Sequence, residues 1–385
     1  MKPTKKICGL STKPGTIKSF MVENLQYMSE HGYKSYCISN PGEEMTSDLL
    51  RDVEFISLDM KWGNVSPWEV LKCVWKMYRI FRRERFGVIQ YATANAGLYA
   101  AIAGWLARVP VRVFLQWGIA YTDYKGLKLW FYKFMEKMTC KFSTVVQPDS
   151  WANLDFAVSE GLYKRSKGDV LGQGSACGVD LSKYDIAKRQ EWRNEVINKY
   201  GLEQYEHVFG FVGRVVPEKG INELLEAFNE LNDQKSCLLV VGPLEEKDRL
   251  IPEVLNKAEN SSNIYFVGSV PSAEKYFAAF DYMVLPSYRE GFGMVVLEAA
   301  GVGTPSIISN IKGPTDFVKD GENGIVCEVK SEYSLKEAMI KAINISTDDY
   351  KRLADNAYET VKCDFDSQKF KEIFFKNREE LLKAK

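Results

Sequence analysis

Twelve apolar runs of five to seven residues recur along this chain, with helical stretches between most of them. KKICGL, SYCISN, EFISLD, GVIQYA, VRVFLQ and TVVQP fill the first half. VFGFVGR opens a second series, followed by CLLVVG, IYFVG, YMVLPS, PSIIS and GIVCEV. Short apolar runs of this kind read as buried strands, while the period near 3.6 in IKSFMVENLQYMSEHG reads as a helix. Strands alternating with helices predict an α/β fold with parallel sheets, because a parallel pair needs a long crossover to return the chain. The restart predicts two Rossmann-like lobes. A length of 385 residues suits two domains. The boundary is expected near Gly178–Asp185, giving one lobe over 1–180 and a second over 181–365.

Composition removes several function classes. Only two histidines occur, His31 and His207, and neither sits in a motif, so a Ser-His-Asp or Cys-His hydrolase lacks its base. The eight cysteines are scattered without C-x-x-C or Cys/His ligand spacing and read as reduced thiols. G-x-G-x-x-G and H-E-x-x-H are both absent, and no Asp-x-Asp pair ends a strand. Hydride transfer and metal-assisted chemistry thereby lose their usual signals, and no metal or cofactor is expected. The start, MKPTKKICGL, carries an apolar patch too short for a signal peptide. The stretch around Gly97–Ala107 falls well short of the ~20 apolar residues that span a bilayer. A cytoplasmic protein is expected.

The most informative segment is Ser287–Pro305, SYREGFGMVVLEAAGVGTP. A strand empties into a Gly-Phe-Gly turn and then a small-residue helix. That arrangement aims backbone N–H groups and a positive dipole end at one place, which suits an anion. Glu290 is expected in the loop and Glu298 about 8 Å further along the helix axis. Carboxylates accept from sugar hydroxyls, so the pair could hold the two sugars flanking a diphosphate. Arg214 and Lys219 follow another strand, in FGFVGRVVPEKG, also in a loop leading to a helix. Two fixed cations there would stabilise charge growing on a phosphate leaving group, arginine as a fork and lysine as a point charge.

These segments resemble the E-x7-E signature and the strand–Gly–Arg–x-x-x-x-Lys-Gly loop of the family-4 retaining glycosyltransferases, enzymes of the GT-B fold. The run Asn263–Ser287 matches the family's stretch leading into the glutamates, and the matches together cover nearly the whole second half. The resemblance implies two Rossmann-like lobes facing a central cleft and a C-terminal helix, 366–385, crossing back to the first lobe. It implies a retaining, metal-independent transfer of a hexose or N-acetylhexosamine from a nucleotide-sugar, most commonly UDP-linked. The catalytic residues would be Glu290, Arg214 and Lys219. The donor would meet Gly213, Arg214, Lys219, Val267, Glu290, Gly291, Phe292, Gly293, Met294, Val295 and Glu298, with Gly15 and Thr16 of the loop KPGT facing its phosphate. Glu298 would accept ribose hydroxyls and Glu290 hydroxyls of the transferred sugar. Gly15 is expected to admit a close backbone approach and Thr16 to cap the next helix.

The first lobe departs from the family. Where many members carry a histidine after the Val-Pro-Val strand, this chain has Trp117, which cannot relay a proton but can stack on a sugar. Gln116, Trp117 and Tyr121 are the acceptor-side candidates. Charge is also uneven: residues 1–141 hold 21 Lys and Arg against 12 Asp and Glu, although the whole chain is neutral. In WEVLKCVWKMYRIFRRERF the apolar face is expected to be Leu71, Val74, Trp75, Tyr78 and Phe81, beside a stripe of Lys72, Lys76, Arg79 and Arg83. GLKLWFYKFMEKMTCKF adds Lys128, Lys133, Lys137 and Lys141 beside Trp130, Phe131 and Phe134. Such helices suit either sheet packing with solvated cations or an anionic membrane surface. Nucleic acid is not expected as a partner. The acceptor implied is a lipid-linked or polymeric saccharide of bacterial surface polysaccharide assembly. A nucleotide-sugar epimerase of the same architecture and a non-catalytic assembly subunit are the rival readings.

Overall fold

The computed structural model describes residues 4–43, 45–61, 66–119, 121–122, 124–245 and 249–385. All twelve apolar runs form strands. The first six are β1 Lys6–Leu10, β2 Lys34–Ser39, β3 Val53–Ser57, β4 Val88–Tyr91, β5 Val111–Gln116 and β6 Val145–Pro148. The second six are β7 His207–Val212, β8 Ser236–Val241, β9 Ile264–Gly268, β10 Tyr282–Leu285, β11 Ser306–Ser309 and β12 Gly324–Cys327. They make two parallel sheets, ordered β3-β2-β1-β4-β5-β6 and β12-β11-β10-β7-β8-β9. The two orders are the same doubly wound pattern. In each the winding reverses once, between β1 and β4 in the first sheet and between β7 and β10 in the second. Crevices at the carboxyl ends of those strands are where such sheets hold ligands.

The chain divides into two compact units. One comprises Met1–Cys177 with Gln368–Lys385, the other Gly178–Ser367. In the first unit both faces of the sheet are covered. The Pro67–Glu84, Ala94–Leu106 and Gly126–Phe142 helices cover one face, and the Pro14–Phe20 and Val22–Glu30 helices cover the other. The C-terminal helix joins this second face, where Phe370, Phe374 and Leu382 are buried with Ile7, Val88 and Val111. Its Arg378 is fully buried and donates to Gln90 Oε1 from Nε at 3.2 Å and from a terminal nitrogen at 3.0 Å. Burial pushes that guanidinium's pKa down to about 9. In the second unit Phe209, Phe211, Leu238, Val240, Met283 and Ile307 form the centre of a core that both helix layers share.

One helix faces differently from its sequence pattern. In Pro67–Glu84 the buried residues are Cys73, Val74, Met77 and Phe81. Leu71 and Trp75, expected inside, are 59% and 60% exposed. Leu71, Trp75 and the 65% exposed Trp68 lie within about 60° on the helix at ~100° per residue. Cys73 and Met77 pack against the sheet and the neighbouring helix instead, and the helix is rotated to bury them.

Candidate active site

β7 and β10 are hydrogen-bonded neighbours, so the loops that leave their carboxyl ends lie side by side. Tyr288 N–H donates to the Glu218 carbonyl at 2.9 Å and ties the loops together. Gly220 makes the approach possible. Its φ is +71°, and a Cβ there would sit 2.1 Å from the Pro286 carbonyl oxygen.

This seam assembles the expected residues. Lys219 Nζ donates to Glu290 Oε1 at 2.6 Å, with side chains 20% and 12% exposed. Ser287 Oγ donates to the same oxygen at 2.7 Å. A second cluster lies beside it on the same loops. Arg214 donates to Glu218 Oε1 at 2.6 Å and lies 3.5 Å from Glu245 Oε1. Arg289 donates to Glu218 Oε2 at 3.0 Å, so Glu218 bridges two guanidiniums. Burial pushes the Glu218 carboxyl up, but Arg289 and Arg214 outweigh it and hold the carboxyl below its usual range.

The Met294–Gly301 helix starts at Gly293, whose φ of +84° a side chain would strain. Its first turn includes the expected Met294 and Val295, both half-buried. Phe292 is buried against Phe365, with ring centroids 5.4 Å apart, which leaves its backbone as the group able to meet a ligand. Glu298 sits in the second turn, half-buried, with Tyr184 hydrogen-bonded to its carboxyl. Burial raises its pKa, while the Tyr184 bond and the Lys183 charge pull it back part of the way. Gly213 directly follows β7, and its carbonyl crowds the place where a Cβ of Gly242 would be.

Val267 falls elsewhere. It lies in the edge strand β9, two strands from β7 or about 10 Å at ~4.8 Å per strand, and packs on the core. The structure does not bring it beside the glutamates.

In the first unit, KPGT is not a loop before the helix. The helix starts at Pro14, Lys13 is its N-cap, and Thr16 N–H bonds to the Lys13 carbonyl at 3.1 Å. Proline at the first position starts the helix earlier, so Thr16 lies inside the turn it was expected to cap. Around Gly15 the space is open, with nothing within 4 Å of an added Cβ. Gln116 and Tyr121 are buried, so of the three acceptor-side candidates only the half-buried Trp117 is open to a ligand. Trp117 packs on Phe20 at a centroid distance of 5.4 Å. Gln116 donates to Glu136 Oε1 at 2.6 Å and accepts from Tyr163 at 2.9 Å. Burial pushes the Glu136 carboxyl up to about 7, against the opposing Gln116 bond.

Sequence reasoning missed Ser287, Glu218 and Tyr184. Ser287, three residues before Glu290, was legible as a Ser-x-x-Glu pair. Tyr184 was not, because it reaches Glu298 from 114 positions away and only the fold joins them. Among the described residues, no group of three His, Cys, Asp or Glu is placed to hold a metal ion.

Two family models match the chain. The one described as glycosyl transferases group 1 covers residues 193–360, and the one described as glycosyl transferase 4-like covers residues 6–150. The chain is similar to the capsular polysaccharide biosynthesis glycosyltransferase CapM of Staphylococcus aureus, at 27% identity over 324 residues and 83% of each chain. It is also similar to the UDP-Gal:alpha-D-GlcNAc-diphosphoundecaprenol alpha-1,3-galactosyltransferase of Escherichia coli, at 26% identity over 310 residues and 78% of each. Among solved structures, a glycosyltransferase from Rickettsia africae matches with TM-score 0.81 at 18% identity, covering 99% of this chain and 100% of that one. Anabaena HepE in complex with UDP matches with TM-score 0.79 at 18% identity, covering 97% and 100%. These structural likenesses speak for the fold.

Proposed function

The chain belongs to the GT-B glycosyltransferases, and from that premise we propose that it builds a bacterial surface polysaccharide by moving a hexose or N-acetylhexosamine from a UDP-linked donor to a lipid-linked saccharide. The observation that carries this reading is the Lys219–Glu290 pair, held at 2.6 Å at the switch point of the second sheet. A cation, two carboxylates and a helix N-terminus converge on the same two loops there. The naming of UDP-galactose and a diphosphoundecaprenol saccharide for the Escherichia coli relative supports the donor base and the acceptor class.

In this reading the first turn of the Met294–Gly301 helix and the Lys219 ammonium receive the diphosphate. Glu298 accepts ribose hydroxyls, and Glu290 accepts hydroxyls of the sugar to be transferred. As the bond from the anomeric carbon to the phosphate oxygen breaks, negative charge grows on the leaving UDP. Lys219 and Arg214 stabilise that charge without a metal ion, more strongly in the transition state than before it. The acceptor hydroxyl forms the new bond on the face the phosphate leaves, and its proton passes to a phosphate oxygen. The anomeric configuration is retained. Trp117 offers an apolar face on which an acceptor sugar stacks.

The test is incubation of the purified protein with UDP-hexoses and a diphosphate-lipid saccharide, with products followed by mass spectrometry. The proposal expects an acceptor heavier by one hexose, an α linkage from an α donor, and equal rates in EDTA. An isomerised donor formed without acceptor would identify an epimerase instead. A donor left intact with every acceptor would leave a non-catalytic subunit.

A further inference from the structure

The loops after β7 and β10 carry charge in opposite order. Glu218 precedes Lys219 on the first, and Arg289 precedes Glu290 on the second. Where the loops meet, each charge faces its opposite. Arg289 donates to Glu218 Oε2 at 3.0 Å, and Lys219 donates to Glu290 Oε1 at 2.6 Å. The donor reading uses the second pair and leaves the first without a task, although it lies one residue away on both loops. Arg289 is also held firmly by its neighbour in sequence. The N–H of Tyr288 bonds to the Glu218 carbonyl, and its hydroxyl donates to Glu223 on the Ile221–Leu231 helix.

Arg289 shares Glu218 with Arg214. One terminal nitrogen of Arg214 donates to Glu218 Oε1 at 2.6 Å, and the other lies 3.5 Å from Glu245 Oε1. Both terminal nitrogens therefore face carboxylates, and a guanidinium so engaged must give one up before it can fork onto a phosphate. The side chains of Arg214, Glu218 and Glu245 are 47%, 36% and 35% exposed, so the exchange unpacks no core. The difficulty is the carboxylate left behind. Glu218 would stand as an uncompensated anion beside an incoming diphosphate, and facing like charges oppose binding. Arg289 removes that opposition, because it holds the other oxygen of the same carboxylate and has no need to move. Against the burial that pushes the Glu218 carboxyl up, Arg289 pulls harder than Arg214.

We propose that Arg289 is a positioning residue that releases Arg214 to the donor, keeping Glu218 paired while Arg214 exchanges that carboxylate for the diphosphate. Glu218 is the rest on which Arg214 waits. The inference rests on the reading of Arg214 as a diphosphate ligand and adds to it a residue that acts through Glu218. Without Arg289, Glu218 depends more heavily on Arg214, and the diphosphate must break a tighter pair. The effect belongs to the phosphates, so a ligand that lacks them is indifferent to it.

The test is calorimetric titration of wild type, Arg289→Gln, Arg289→Lys, Glu218→Gln and the Glu218→Gln, Arg289→Gln double variant. UDP is the ligand and uridine the phosphate-free control, and the thermal midpoint of each protein is measured alongside. Arg289→Gln is expected to lower UDP affinity about fivefold, within the range of coupling between members of one ion-pair network. Its uridine affinity and its midpoint should stay near wild type, as for other partly exposed pairs. Arg289→Lys should recover part of the loss. Glu218→Gln should raise UDP affinity, and adding Arg289→Gln to it should leave that affinity within about twofold. Unchanged UDP affinity in Arg289→Gln would overturn the proposal, as would the same loss in the Glu218→Gln background. Equal losses for UDP and uridine with a lowered midpoint would overturn it too, by making Arg289 structural. So would weaker UDP binding by Glu218→Gln, which would make Glu218 a support of Arg214 and not its competitor. Wild type that binds no UDP would overturn the donor reading and this inference together, whereas wild type that binds UDP beside an indifferent Arg289→Gln would overturn this inference alone.

Discussion

Lys219 and Glu290, 71 positions apart, meet at 2.6 Å where the loops after β7 and β10 touch. A lysine in water is a mobile point charge with costly rotamer freedom. Here the pair with Glu290 fixes its ammonium beside the helix that begins at Gly293. The same contact holds the Glu290 carboxylate, which Ser287 supports from its own loop. The cation and the carboxylate proposed to bind the sugar are thus oriented before any donor arrives, which would spare the reaction that reorganisation.

Removing the cation should therefore cost catalysis far more than stability. Lys219→Met is expected to lower kcat/KM by about 10² to 10³, the usual loss for one preorganised charge or donor. Lys219→Arg should recover part of it. Steady-state transfer kinetics check this, and a kcat/KM within about threefold of wild type for Lys219→Met would contradict the role given to it.

The two glutamates should separate kinetically. Glu298→Ala is expected to weaken UDP binding, because the ribose loses its acceptor. Glu290→Ala is expected to lower kcat with little change in UDP affinity. Calorimetric titration with UDP beside transfer rates measures both. Wild-type behaviour of both variants would end the assignment.

Glycines 15 and 220 should respond oppositely to alanine. Gly220→Ala drives a Cβ into the Pro286 carbonyl at a positive φ and should open the β7–β10 seam, lowering the thermal midpoint and abolishing transfer. At Gly15 an added Cβ meets nothing, so Gly15→Ala should leave the midpoint unchanged to within the ~0.5 kcal/mol typical of neutral surface changes. If Gly15→Ala lowers UDP binding with an unchanged midpoint, the KPGT segment touches the donor. Thermal denaturation of the two variants decides both points.

Glu136 should make stability depend on pH. Its folded-state pKa of about 7 lies above the carboxyl value of the unfolded chain, so the folded state holds a proton that the unfolded state has lost. Stability from this group is present below the unfolded value and falls as pH rises toward 7. Glu136→Gln mimics the protonated form and keeps an acceptor for Gln116. It should raise the thermal midpoint at pH 8 and leave it nearly unchanged at pH 5. Equal destabilisation at both pH values would contradict the shift.

Much of the architecture was legible because each strand is a short apolar run, and parallel strands buried on both faces must read that way. The loops after β7 and β10 were legible as strand-to-helix turns because glycine admits the positive φ found at Gly220 and Gly293. The inward face of Pro67–Glu84 was not. Its pattern offers two apolar stripes, one with Leu71 and Trp75 and one with Cys73 and Met77, and periodicity alone cannot rank them. Burying Cys73 and Met77 leaves the stripe with the larger side chains at the surface, against the rule that such residues go inside. Gln116 and Tyr121 misled for a related reason. Gln116 ends an apolar strand and Tyr121 follows it, but both are buried, and Glu136 of the Gly126–Phe142 helix and Tyr163 arrive from distant positions to satisfy Gln116. Arg214 was identified as a cation without its partners Glu218 and Glu245, since ion pairing depends on loop geometry that spacing does not encode.

The most direct test of the central claim is thermal denaturation with UDP, GDP and ADP, each with EDTA, for wild type and Lys219→Met. A ligand that binds the folded state raises the midpoint by mass action. The Lys219–Glu290 donor site predicts a rise with UDP that EDTA leaves intact and Lys219→Met removes. A rise that EDTA abolishes, or one that Lys219→Met leaves unchanged, would contradict it.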